Sequence, residues 1–230
     1  IAAIVVVACI AGVYYYYATL PPPKEIVVGT SISITGKYAD SGKWHVESYE
    51  LWKKEVNAKG GLLGRPVKLI MYDDKSDPTT SVSNYERLIT VDKVDLIIGP
   101  YASAIVLSTS SVAEKYEYLF MQGGGRSLEL FTRGYKYLFL TMPCLAEDDI
   151  RGFIDFLETL PAEKKPKTFA FICEDTLYPV STCVGGMAYV IAGIKNGAKA
   201  LEWLGAVAKV TLETVSDVAK RVETELGYRS

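Results

Sequence analysis

Short runs of apolar and β-branched residues alternate along the chain with longer stretches whose apolar residues recur every three or four positions. Residues 24–30 (KEIVVGT) predict a buried strand, and 67–72 a second. Between them, 41–58 place Trp44, Tyr49, Leu51, Trp52 and Val56 among charges at helical spacing, and Gly60, Gly61 and Gly64 break that helix. A second helix is predicted over 78–92, with Asp77 as N-cap and Pro78 at the first helical position. The same beat predicts strands at 94–98, 118–121 and 137–140, a helix at 103–115 and a short helix from Ser127. Further on it predicts helices at 148–160 and 182–196 around a strand at 168–173, then a strand at 199–205 and a helix at 214–226.

Strand–helix alternation of this kind implies βαβ units and a mostly parallel sheet covered on both faces. Right-handed crossovers then gather the strand-to-helix loops at one end of the sheet, where ligands bind in open α/β folds. Gly123, Gly124 and Gly125 form one such loop, and the residues just before Ser103 form another.

The first twenty residues break the pattern, for they contain no Asp, Glu, Lys, Arg or His. At about 1.5 Å per residue such a helix covers the roughly 30 Å hydrocarbon core of a bilayer. Tyr14, Tyr15, Tyr16 and Tyr17 stand where aromatic rings favour the headgroup interface, and Pro21, Pro22 and Pro23 then stop the helix. A cleavable signal peptide would carry a charged leader and a shorter apolar core, and a buried helix would show a polar face. Residues 1–20 are therefore expected to anchor the chain in a membrane, or to pack in a self-assembly.

Composition narrows the function by exclusion. Lys+Arg number 25 and Asp+Glu 27, a balance that argues against nucleic acid as partner. Cys144, Cys173 and Cys183 show no metal spacing and the only histidine is His45, so no metal or cofactor is expected. A Cys173–Cys183 bridge is open to an oxidising compartment but not demanded by the sequence. Asp73 and Asp74 are adjacent on a strand and point to opposite faces, so loop contacts are expected of them rather than shared catalysis. His45 has no evident triad partner, and no phosphate-loop or nucleophile motif stands out, so no enzymatic activity is expected.

Four segments, taken in order, carry a resemblance. They are 30–39 (TSISITGKYA), 57–67 (NAKGGLLGRPV), 72–78 (YDDKSDP) and 97–103 (IIGPYAS). Together they resemble the periplasmic binding proteins of the branched-chain amino acid type, over about 24–196. The resemblance implies an α/β fold with a Rossmann-like parallel-sheet lobe over 25–142, crossing near 141–143 into a second α/β lobe. With 21–24 as spacer, 143–230 would then be only part of that second lobe. It also implies an extracytoplasmic solute-binding protein that captures an amino acid or similar small amide for an ABC permease. A structural subunit of a surface filament or lattice is the alternative, given the apolar N-terminal helix.

An amino acid offers a carboxylate, an ammonium and a side chain. The helix predicted to open at Ser103 would aim the backbone N–H groups of Ser103 and Ala104 at the carboxylate, with the Ser103 hydroxyl as a further donor and Ala102 beside them in the site. Simple N-capping by Ser103 is the competing role. By resemblance, a carbonyl near Gly124 and the group at Ser127 would face the ammonium. Tyr38 and Tyr101 would rim the crevice, and Tyr178, in a later loop, would close over the ligand.

Overall fold

The structure is a computed structural model that describes Tyr15, residues 24–166 and residues 168–192. Five strands, β1 (Ile26–Ile32), β2 (Val67–Asp73), β3 (Leu96–Ile98), β4 (Phe120–Gln122) and β5 (Leu138–Leu140), form one parallel sheet in the order β2-β1-β3-β4-β5. Three helices connect them: α1 (Ala39–Ala58), α2 (Pro78–Thr90) and α3 (Ser103–Lys115). The reversal of strand order beside β1 opens a crevice at the carboxyl ends of β1 and β3, the usual ligand position in such sheets.

Local chemistry fixes these elements. Asp77 Oδ1 accepts from the backbone N–H of Thr80 at 2.7 Å, so the expected cap and the Pro78 start of α2 are both present. Asn57 near the end of α1 donates to and accepts from the backbone of Val67, which pins the first residue of β2. One sheet face is closed by Tyr85 and Leu88 of α2 and Val106 and Val112 of α3, packed on Ile97, Phe120 and Leu138. On the other face α1 brings Trp52 and Val56 against Ile26, Val28 and Val67. Beyond α1 on that face Leu96, Met121 and Phe139 stay 39–47% exposed, so among the described residues the expected double cover is complete on one face only.

After β5 the chain passes through Thr141, Met142 and Pro143 into a 3-10 turn (Ala146–Asp148), α4 (Arg151–Glu158) and α5 (Leu177–Ala192). The helix expected at 148–160 is thus shorter, and α5 begins five residues before its predicted start. Gly185 lets α5 lie directly on the 3-10 turn, since a Cβ there would sit 1.9 Å from the carbonyl oxygen of Glu147. The strand expected at 168–173 does not form. A strand of a parallel sheet needs paired neighbours, no described strand pairs with this segment, and Ile172 is 98% exposed. The strand expected at 199–205 and the helix at 214–226 lie outside the described residues, as does the 1–20 anchor apart from Tyr15. Among the described residues no helix is long and apolar enough to cross a membrane.

Candidate functional site

A cavity of about 370 Å³ opens at the carboxyl ends of the strands, between the sheet and the segment that follows β5. Of the expected site residues it brings together Tyr38, Tyr101, Ala102, Ser103, Gly124 and Tyr178. Ser127 is not among them: it is fully buried at the start of the 3-10 turn Leu128–Phe131, and its hydroxyl has no hydrogen-bond partner among the described residues. Arg126, one residue earlier, lines the cavity instead. The run Gly123 to Ser127 turns inward because Gln122 is buried and its side chain bridges the backbone of Gly125 at 2.7 and 2.8 Å.

The amino end of α3 faces the cavity through Ser103 and Ala104. The first N–H groups of a helix have no partner within it, and the helix dipole adds positive potential there. Ser103 is not the cap of this helix. That place belongs to Ala102, which makes no side-chain cap bond and holds φ 74° and ψ 136°. The Ser103 hydroxyl, 1% exposed, accepts from the backbone N–H of Arg126 at 3.1 Å and of Ser127 at 3.4 Å. Both N–H groups donate to its oxygen, and neither bond uses the hydroxyl's own proton.

Aromatic rings form the adjoining wall. Tyr38 meets Tyr101 edge-on at 5.6 Å between centroids, and Tyr101 packs on His45 at 5.3 Å, which in turn meets Tyr49. His45 Nδ1 lies 2.9 Å from the Ser41 carbonyl, so this histidine is a packing residue behind the rim. Burial pushes the Tyr49 hydroxyl up to about 12. Gly124 pairs with Tyr101 as an isolated bridge, and a Cβ there would lie 2.2 Å from the Pro100 carbonyl oxygen. Only glycine allows these two loops to touch.

Charged groups on both walls escaped the sequence reading. Arg126 makes a bidentate pair with Asp149 at 2.6 and 2.7 Å. Its Nη2 also donates to the Tyr178 hydroxyl at 2.7 Å, and that hydroxyl donates to Asp149 Oδ2 at 2.7 Å. Burial and the hydrogen bond to Asp149 together raise the Tyr178 pKa. Burial alone would lower that of Arg126, but the bond to Asp149 more than offsets it. Glu174 also lines the cavity and pairs with Lys37, while Met142, Thr176, Leu177 and Pro179 complete the far wall. No motif marks these residues, because each pair joins positions far apart in sequence.

Asp73 and Asp74 lie beside the crevice loops and shape them. Asp73 accepts from the backbone of Ile34, Thr35 and Lys75, and Asp74 from the Ser33 hydroxyl and the Ser76 backbone. Cys173 and Cys183 are joined in a disulfide that ties the start of the 174–176 loop to α5, Tyr178 lies in the first turn of α5 and not in the expected loop, and Cys144 is free.

A doubly wound sheet with a helix amino end, an aromatic wall and a facing loop at its strand ends defines an α/β ligand-binding protein. The chain belongs to the periplasmic binding protein family, whose sequence model matches residues 25–200. It is 31% identical over 162 residues to Leu/Ile/Val-binding protein homolog 8 of Brucella abortus, covering 68% of this chain and 40% of that protein. The leucine-specific-binding protein of Salmonella typhimurium is 28% identical over 155 residues, 67% of this chain and 40% of the relative. The chain thus spans about 40% of the length of these relatives.

Solved structures agree on the fold. The branched-chain amino acid transporter substrate binding protein of Streptococcus pneumoniae, in complex with isoleucine, superposes with a TM-score of 0.55 at 24% identity, over 59% of this chain and 38% of its own. A possible leucine/isoleucine/valine-binding protein from Rhodopirellula baltica gives 0.65 at 19% identity, over 79% and 48%. None of these relatives is named as a filament or lattice subunit, so the structural alternative gains no support from them.

Proposed function

We propose that this chain carries the capture crevice of an extracytoplasmic solute-binding protein, which takes an amino acid or similar small amide and presents it to an ABC permease. The observation that carries the reading is the meeting of Ser103 at the amino end of α3 with Tyr178 from the far wall, across one cavity. The ligand carboxylate would sit against the N–H groups of Ser103 and Ala104 and the Ser103 hydroxyl, where donors and helix dipole converge. Tyr38, Tyr101 and Tyr178, with Met142 and Leu177, would cover an apolar side chain. The Gly124 backbone and the Glu174 carboxylate, both on the cavity wall, would accept from an ammonium. Binding would work by closure of the two walls on the ligand, a shift of population with no chemical step.

The names of the Brucella and Salmonella relatives favour leucine, isoleucine or valine as the first ligands to try. The Cys173–Cys183 disulfide fits an oxidising compartment outside the cytoplasm. Residues 1–20 are proposed as the membrane anchor on the length of their uncharged run; partition of the full chain into the aqueous phase in a detergent separation would count against it. Thermal melting with each of the twenty amino acids tests the ligand reading. A true ligand at a hundredfold excess over its Kd adds about 2.7 kcal/mol to stability, and a flat response across all twenty would overturn it.

A further inference from the structure

We propose that Arg126 is a positioning residue for capture. Through Asp149 and Tyr178 it ties the far wall of the crevice to the sheet before a ligand arrives, and Lys37 with Glu174 forms a second, weaker tie. The proposal concerns the regulation of the crevice assigned above and rests on that reading for its effect on ligand affinity. Its first support is the distribution of charge. Both cations belong to the sheet side, Lys37 after β1 and Arg126 after β4, and both anions follow the crossing at Thr141, Met142 and Pro143. Each ion pair therefore spans the crevice, and neither lies within one wall.

The two ties differ in strength. Lys37 and Glu174 are 54% and 53% exposed, so water and salt screen their attraction and the pair contributes little. Arg126 and Asp149 are only 17% and 21% exposed, and the guanidinium meets the carboxylate with two parallel bonds. That fork geometry fixes direction as well as distance. Tyr178 closes the triangle: its hydroxyl is held by both partners and its ring lies 5.2 Å from the guanidinium carbon. The aromatic cover of the cavity is thus set in place by a residue of the opposite wall.

Arg126 accordingly adds a hold on the Tyr178 ring from the opposite wall, beside the one Asp149 gives it. Without Arg126, Asp149 would keep the Tyr178 hydroxyl and the Cys144 thiol as donors, and the far wall would lose its bidentate bond to the sheet side. With it, the ring is presented in one orientation, and less ordering is left for the ligand to supply.

Amide hydrogen exchange on the ligand-free full chain tests the proposal. In Arg126→Met and Asp149→Ala, peptides covering 174–180 should exchange about ten- to a hundredfold faster, while 26–32 in β1 stay unchanged. Arg126→Lys, which keeps the charge without the fork, should restore only part of the protection. Unchanged exchange at 174–180 in both variants overturns the proposal. If either variant loosens β1 as well, Tyr178→Phe decides: faster exchange confined to 174–180 supports the tie, and no change overturns it. Calorimetric titration with L-leucine separates this proposal from the ligand reading. If wild type binds no L-leucine while exchange responds as expected, the tie stands and that choice of ligand falls. If Arg126→Met weakens binding with exchange unmoved, Arg126 meets the ligand itself and the positioning role is overturned.

Discussion

Replacing Ser103 with alanine perturbs the site where its two competing roles part. Were Ser103 a helix cap, the change would cost about 0.5–2 kcal/mol of stability and leave ligand affinity untouched. The structure gives the cap to Ala102 and gives the Ser103 oxygen two backbone donors from the Arg126–Ser127 turn, at 3.1 and 3.4 Å. Ser127 is fully buried, so its N–H has no solvent to turn to once that oxygen is gone. Stranding one of those N–H groups costs about 1–3 kcal/mol, or about 2–12 °C in Tm for a chain of this size. The lost hydroxyl proton removes in addition one bond to a carboxylate, worth about 1.5–3 kcal/mol, or about ten- to a hundredfold in Kd. Thermal melting and L-leucine calorimetry on the same variant read both numbers. Ser108→Ala serves as control, since its hydroxyl only returns to the Ala104 carbonyl of its own helix at 3.4 Å. A variant that melts like wild type, or that melts lower yet binds equally well, refutes the double role.

Three further outcomes follow from particular contacts. Ala102→Gly should raise Tm, because φ 74° with ψ 136° strains alanine by about 1–3 kcal/mol and glycine adopts it freely; a lower Tm counts against that strain. Cys173→Ser with Cys183→Ser should cost about 2.7 kcal/mol by the chain-entropy relation for a ten-residue separation, read in a denaturant melt; unchanged stability would show that the bridge adds nothing. Burial raises the Asp74 pKa, with only partial relief from Ser33 and Ser76, so the folded chain holds that proton more tightly than the unfolded one. Its contribution to stability is therefore full below the unfolded value of about 3.9 and declines as pH rises toward the folded one. Asp74→Asn should abolish that decline and melt at or above wild type at pH 7, and a Tm below wild type there would contradict the sign.

Where a short stretch of chain sets its own structure, the sequence was enough to place it. Pro78 after Asp77 starts α2, the apolar run beginning at Ile26 makes β1, and Gly60 and Gly61 end α1, all through neighbours a few residues apart. The strand expected at 168–173 shows the limit. Its Phe169, Phe171 and Ile172 satisfy the strand pattern, but a strand also requires partners, and pairing is a property of the sheet rather than of six residues. The half-open sheet face follows the same rule: Met121 and Phe139 read as buried positions, and only the placement of α1 over β1 and β2 reveals that nothing described covers them.

The site divides along the same line. Its sheet-side half was legible because loops after parallel strands gather by topology, so Tyr38, Tyr101, Ser103 and Gly124 converge as soon as the strand order is known. The register after Gly125 was not legible: Ser127 has the chemistry of a ligand group, yet Gln122 folds the turn so that Ser127 is buried and Arg126 faces the cavity. The far wall carries no local signal either, since Asp149 stands 23 positions from Arg126 and Glu174 stands 137 from Lys37. Charges whose purpose lies across a crevice look like ordinary surface charges in a sequence. They become part of the site only when two walls meet, and Arg126 and Asp149 meet there with both bonds of their fork crossing from one wall to the other.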